Sequence, residues 1–480
     1  MYDTVKVFKN ILALLSERLI VPAVNLLLVV FIARILGADG LGRYAAIVGF
    51  VSFFDIFLDL GINTLIIRDV ARDRSSAGAY LSKAVTLKLA ASPAIFLSIF
   101  VFLRFFPYPD EVARAFYVFS AAFILIAFSD SINALYKAYE RMNLVAFMVF
   151  LRQSALVATV VLVMKLGYGI TGIALSYLAV GAAYLALNYL TFTLRVSRVY
   201  IRVDRKFYKD LFENSLPFIT TSFFFLIFYR IDVVLVSVTA NDVQAGFFSA
   251  ASKIVSSLML LSAAFLEAVF PIISRYEPGS ADKMRGALRK AFHLLAAVSL
   301  PMSVGMVATA GDALRLLYGN GFAQAKDIYF VLAVGLPIAY LTSALHYVVM
   351  AMNMQRRAFF GVATALVLWS AANLWLIKYS GGLGAAYATL GFTACLFVYM
   401  GHMVFDGLSD YSALRETLKP LFASLVMGGL LFSLGTSGLL FKIFAGAAAY
   451  TAVMWMLRGF DQDDSARVRD LWRHYARQGR

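Results

Sequence analysis

Ten ionisable side chains stand inside long apolar runs of this 480-residue sequence: Glu17, Arg18, Asp55, Asp59, Lys88, Asp130, Arg230, Asp232, Lys253 and Glu267. A charge at the centre of a bilayer costs about 3 kcal/mol or more, so each such residue is a functional candidate by default. Arginine presents a planar fork of donors that matches phosphate oxygens, whereas lysine acts as a point charge. Arg18, Arg230 and Lys253 are therefore candidate contacts for an anionic substrate. Asp55 and Asp59 lie one helical turn apart and share a face, where two carboxylates can bind a cation or share a proton. With Asp130 and Asp232 they form the candidate set for ion coupling or for lining a polar cavity. The competing structural reading is that Arg18 snorkels to the inner interface while Arg230 and Lys253 neutralise Asp232 or other carboxylates.

Other chemistry is sparse. Cys395 is alone, and His293, His346, His402 and His474 have no metal-binding spacing, so neither a disulfide framework nor a metal site is expected. The chain has no G-x-x-x-x-G-K-[ST] loop and no G-x-S-x-G elbow. No catalytic residues and no cofactor are assigned, and the expectation is a protein that is not an enzyme. Ser129, Asp130, Ser131 and Asn133 make a polar stretch that can line a cavity or bond neighbouring helices. Tyr136, Tyr139 and Tyr340 can stack on sugars, whereas Phe223, Phe224, Phe225 and Phe228 read as lipid-facing or packing residues.

The elements that must position these groups follow from composition. Apolar residues make up 61% and charged residues 15%, with mean hydropathy +0.78, against about 25% charged in a soluble domain. Such a chain cannot cover itself in water. Apolar runs near 10–35, 43–67, 80–105, 114–137, 144–165, 170–194, 214–238, 246–273, 287–309, 328–352, 358–377, 383–405, 417–434 and 438–457 give fourteen expected spans. They are continuous rather than alternating, which excludes a barrel and predicts an all-α polytopic membrane protein. Asp3, Lys6 and Lys9 run into the first span without a small-residue cleavage site, which predicts an uncleaved helix. With both termini in the cytoplasm, most of the 43 basic residues fall on the inner side. The formal net charge of +15 then reflects topology and an anionic leaflet, and nucleic acid is not an expected partner. Val468, Leu471, Trp472 and Tyr475, spaced among arginines, read as an interfacial helix.

The first six spans resemble the next six. Leu41-Gly42-Arg43-Tyr44-Ala45-Ala46 matches Ala245-Gly246-Phe247-Phe248-Ser249-Ala250-Ala251; Lys83-Ala84 precedes Pro93 as Lys290-Ala291 precedes Pro301; and Gly169-Ile170-Thr171-Gly172 matches Gly381-Gly382-Leu383-Gly384. The expected organisation is a six-helix bundle over 1–195, a basic cytoplasmic linker over 196–213 and a second bundle over 214–406. Two further spans over 407–457 and a basic tail over 458–480 complete it. An even number of spans per copy predicts two bundles related by an axis along the membrane normal, with a polar cleft between them. Pro22, Pro217, Pro93, Pro301 and Pro337 can kink their helices there, or are merely tolerated.

Several of these segments resemble one family. Ala33-Arg34-Ile35-Leu36-Gly37-Ala38-Asp39-Gly40-Leu41-Gly42-Arg43-Tyr44 is similar to the first outer loop of the polysaccharide-transporter, or Wzx-type oligosaccharide flippase, family of the multidrug/oligosaccharidyl-lipid/polysaccharide exporter superfamily. Leu58-Asp59-Leu60-Gly61 with Arg68-Asp69-Val70-Ala71-Arg72 resembles the end of its second helix. Tyr229-Arg230-Ile231-Asp232 and Gly246-Phe247-Phe248-Ser249-Ala250-Ala251-Ser252-Lys253-Ile254 resemble its seventh and eighth. The resemblance implies movement of a polyprenyl-pyrophosphate-linked oligosaccharide across the cytoplasmic membrane by alternating access, for surface polysaccharides such as O-antigen. Membrane lipids, a polysaccharide polymerase and glycosyltransferases are the partners it implies. The alternatives are an ion-coupled multidrug antiporter of the same superfamily and a non-transporting membrane scaffold.

Overall fold

The computed structural model describes residues 4–193, 207–208, 231–273, 281–352, 354–408, 410–435 and 438–459, with side chains described from Val21 onward. Among these residues there is helix and no strand. The helices are α1 (Thr4–Ser52), α2 (Asp55–Asp59), α3 (Ile62–Arg72), α4 (Ala77–Phe105), α5 (Asp110–Ala138), α6 (Met142–Lys165) and α7 (Gly169–Thr193). After the helical residues 231–239 come α8 (Asp242–Ile273), α9 (Ala281–Ala308), α10 (Ala310–Tyr318), α11 (Ala325–Ala351), α12 (Gln355–Leu408), α13 (Leu418–Ser433) and α14 (Leu439–Met456).

Among the described residues, ten helical segments are long and apolar enough to cross a membrane. Two of them, Val21–Arg72 and Gln355–Leu408, each cover two of the expected spans. Their breaks are sharp. In α1 the chain turns at Gly37 (φ 69°, ψ −168°) and in α12 at Gly381 (φ 56°, ψ −133°), backbone regions open to glycine because it lacks a Cβ. The span expected over 43–67 is interrupted, since α1 ends at Ser52, α2 has five residues and Leu60 and Gly61 (φ 44° and 81°) turn the chain into α3. Most of the span expected over 214–238, and all of the linker over 196–213 except Phe207 and Tyr208, lie outside the described residues.

The chain separates into two compact units, one of Met1–Lys253 with Asn373–Ala385 and one of Ile254–Ala372 with Ala386–Arg480. In the first unit α5 packs against α7, α3, α4 and α1, and α6 against α1 and α7. Ile62, Ile66, Val70, Leu81, Ala84, Leu135, Tyr136, Val145 and Phe192 form its buried apolar core. The rings of Phe50 and Phe102 stack, Phe116 meets Phe50 edge-on, and the Tyr44 and Tyr177 hydroxyls meet at 2.7 Å.

In the second unit α9 packs against α11 and α13, and α13 against α14. Met427, Leu431, Tyr450 and Met454 bury against Ala297, Val304 and Ala308 of α9. Polar fastenings tie α9 and α10 to α14 and to the segments that flank α13 and α14. The Lys442 ammonium meets Asp312 at 2.7 Å, and the two ring nitrogens of His293 reach the carbonyls of Glu416 (3.1 Å) and Gly459 (2.7 Å). Arg289 pairs with Asp410 at 2.7 Å.

Candidate functional site

Four polar side chains link up inside the first unit. The Lys88 ammonium, 1% exposed on α4, donates to the Ala127 carbonyl and the Ser131 hydroxyl, each at 2.6 Å. Ser131 donates to Asn63 Oδ1 at 2.8 Å, and the backbone N–H of Asn63 donates to Asp59 Oδ1 at 3.3 Å. The direct partners of Lys88 are thus neutral oxygens, and the carboxylates that act on it at longer range are Asp59, Asp130 and Asp55, in that order. The turn at Leu60–Gly61 is what brings Asn63 back beside Asp59: Asp59 closes α2 and Asn63 stands in the first turn of α3. The geometry therefore gathers Asp59, Asp130 and, more distantly, the exposed Asp55 around one buried cation.

A second polar chain adjoins it on α5, α6 and α7. Asn133 Nδ2 donates to Asp130 Oδ1 at 3.3 Å and to the Tyr184 hydroxyl at 2.8 Å. The guanidinium of Arg152 lies 5.2 Å from the centre of the Tyr184 ring. Beside it, Gln153 Nε2 donates to Asn25 Oδ1 at 2.5 Å, tying α6 to α1. The Tyr136 hydroxyl, a candidate sugar platform, is committed to Thr191 Oγ1 at 2.6 Å and lies buried.

The other sequence candidates are placed as follows. Asp232 is buried and accepts a hydrogen bond from Asn373 Nδ2 at 2.5 Å. Lys253 is half-buried on α8 and Glu267 is exposed there. The Arg18 side chain and all of Arg230 lie outside the described residues. Two intraspan charges escaped the sequence reading: Arg152, near the middle of α6, and Lys442, 5% exposed on α14. The available signal was a polar pair, Arg152-Gln153, in an otherwise apolar run.

Away from this interior, Asp242 at the start of α8 collects a further set of contacts. It accepts from Ser237 Oγ at 2.5 Å and from Arg43 Nε at 3.2 Å, while Arg43 also meets Asp39 at 2.8 Å. Ser237 shares a 2.7 Å bond with the Tyr108 hydroxyl. Burial pushes the Tyr108 phenol up to about 12, and the nearby Asp242 carboxylate adds to the rise. Here the glycines of the two similar motifs approach each other's segments closely. A Cβ on Gly42 would overlap the Asp242 carbonyl, and one on Gly246 would overlap the Ala38 carbonyl. Close backbone approach at small residues is a recurrent way for membrane helices to pack.

Known proteins match this architecture along nearly its full length. The chain is 22% identical over 434 residues to the probable low-salt glycan biosynthesis flippase Agl15 of Haloferax volcanii, covering 88% of this chain and 90% of the relative. Among solved structures it is similar to the lipid II flippase MurJ in an inward closed conformation, with TM-score 0.72, 15% identity and coverage of 94% and 98%. A multidrug resistance MATE transporter in its inward-facing conformation follows at TM-score 0.58 and 16% identity, covering 82% of this chain and 99% of that one. These likenesses bear out the all-helical exporter-superfamily fold. The profile of the polysaccharide biosynthesis protein family matches residues 7–277, more than half of the sequence, and agrees with the resemblance carried by the motifs at 33–44, 58–72 and 229–254. The chain belongs to the polysaccharide biosynthesis protein family.

Proposed function

We propose that this protein is a flippase that moves a polyprenyl-pyrophosphate-linked oligosaccharide from the inner to the outer leaflet of the cytoplasmic membrane by alternating access. The observation that carries the reading is the polar interior of the first unit, where Lys88, Ser131, Asn63, Asp59, Asp130 and Arg152 occupy helices otherwise built for lipid. A sugar diphosphate taken bare into hydrocarbon would lose hydration worth tens of kcal/mol on an idealised Born scale, so its carrier must offer polar groups inside the membrane. The name of the Haloferax volcanii relative, a probable glycan biosynthesis flippase, supports the same job.

In this reading Arg18, Arg230 and Lys253 contact the substrate's phosphates, and Asp55, Asp59, Asp130 and Asp232 line the path or couple it to an ion. The knot of Arg43, Asp242, Ser237 and Tyr108 closes the outer mouth of the first unit. Both termini are cytoplasmic, and glycosyltransferases and a polymerase work up- and downstream. Depleting the protein tests the proposal. Lipid-linked oligosaccharide is expected to accumulate on the cytoplasmic leaflet while surface polysaccharide falls. Unchanged glycan with altered efflux of cationic dyes would instead identify a multidrug antiporter.

A further inference from the structure

Arg152 differs from the described arginines that form ion pairs; Arg74 also lies over a ring, that of Tyr139 at 5.3 Å, but it is exposed outside the long helices. Arg43, Arg68, Arg285 and Arg289 each meet a carboxylate, and the other intraspan cation that sequence reading missed, Lys442, pairs with Asp312. Arg152 lies near the middle of the 24-residue α6, and among the described residues its guanidinium faces a ring, that of Tyr184, with no carboxylate in ion-pair contact. Its Nε is buried without a hydrogen-bond partner. The ring it lies over is fixed: Tyr184 is 4% exposed, and its hydroxyl is held by Asn133 at 2.8 Å. A guanidinium within cation–π reach of a ring keeps its planar fork of donors for other partners, and that fork matches a bidentate oxyanion. A mid-membrane cation with unused donors is costly to keep without an anion for them.

Resting on the flippase reading, we propose that Arg152 grips the diphosphate of the lipid-linked substrate, with Tyr184 acting as the positioning residue that holds the fork in place. Asp130 stands at the far end of the Asn133 bridge, and its like charge repels the diphosphate, so the grip is releasable rather than tight. Among the described residues, the charged groups around this point on the packed helices are Asp130 on α5 and Arg152 itself on α6, with Lys88 on α4 beyond Asp130.

The test uses the full chain in lipid nanodiscs and measures affinity for polyprenyl diphosphate, polyprenyl monophosphate and neutral polyprenol, with inorganic pyrophosphate as competitor. Wild type is expected to prefer the diphosphate lipid. Arg152→Ala should lower that affinity by about tenfold or more, as the loss of a charge-assisted bidentate contact implies, while leaving polyprenol binding unchanged. Arg152→Lys should recover part of it, and Tyr184→Leu should weaken it with the charge still present. If Arg152→Ala fails to fold, the last two variants decide: wild-type affinity in both overturns the grip. An Arg152→Ala protein that folds and keeps the wild-type preference overturns the grip and leaves the flippase reading standing. A wild-type chain without preference for the diphosphate lipid overturns both. Competition by free pyrophosphate as strong as that of the lipid overturns the assignment to a lipid-borne phosphate.

Discussion

Removing the Lys88 ammonium leaves Asp59, Asp130 and Asp55 without the cation whose field they share. Lys88→Met is therefore expected to destabilise the chain by about 3 kcal/mol, the scale for stripping a buried charge cluster of its counter-charge. Asp59→Asn in the same protein should recover part of the loss, and thermal unfolding in detergent of both variants checks it. At Tyr108 the prediction concerns alkali. The phenol stays neutral in the folded chain up to about 12 but ionises near 10.0 once unfolded, so the unfolded state alone releases the proton as pH climbs between those values. Stability should fall across that window in wild type and fall less in Tyr108→Phe, as paired melting curves would reveal. Much of this cluster was legible, since Asp59, Lys88 and Asp130 announce themselves as charges in apolar runs. Arg152 was not, because its span stays strongly apolar even with it and its ring partner Tyr184 belongs to the next helix. Nor could spacing foretell that Ser131 and Asn63 would join Lys88 to Asp59, a link that depends on the turn at Leu60 and Gly61.

Helices that meet at glycine leave no room for a side chain. Gly246→Ala places a methyl against the Ala38 carbonyl and Gly42→Ala one against the Asp242 carbonyl, and each is expected to cost about 1 to 3 kcal/mol by overpacking. If the contact closes the outer mouth, both variants should also label faster at a cysteine placed at Ser237 than an otherwise wild-type chain does. A second prediction belongs to α13 and α14. Removing residues 418–480 uncovers Ala297, Val304 and Ala308 and strips His293 of the Gly459 carbonyl and Asp312 of Lys442. The shortened chain should aggregate on extraction, which size-exclusion chromatography would show. Apolar run length made nearly every described helix readable in advance. Continuity was less readable: whether two runs joined by Gly37 or Gly381 remain one helical path is set by a single backbone angle, and the short α2 ends at the left-handed turn of Leu60 and Gly61.

At the scale of the whole molecule, composition alone announced a membrane protein, and basic residues give its proposed orientation. Single cysteines at Ser197 and Asn241 should label from opposite sides, with Asn241 reached from outside; the reverse pattern would invert the topology. Cargo identity was never in the composition, because closely related helical exporters carry unlike compounds on one architecture. The contact at Gly42 holds a different kind of information. Gly42 and Gly246 are matching positions of the duplicated motif, and four residues before each stand Ala38 and Asp242. Gly42 meets Asp242 while Gly246 meets Ala38, so position i of one copy touches j of the other and j touches i. That reciprocity is the signature of an isologous interface between two identical subunits. A contact that repeats itself in this way has an approximate two-fold character within a single chain, with an aspartate standing on one side where an alanine stands on the other.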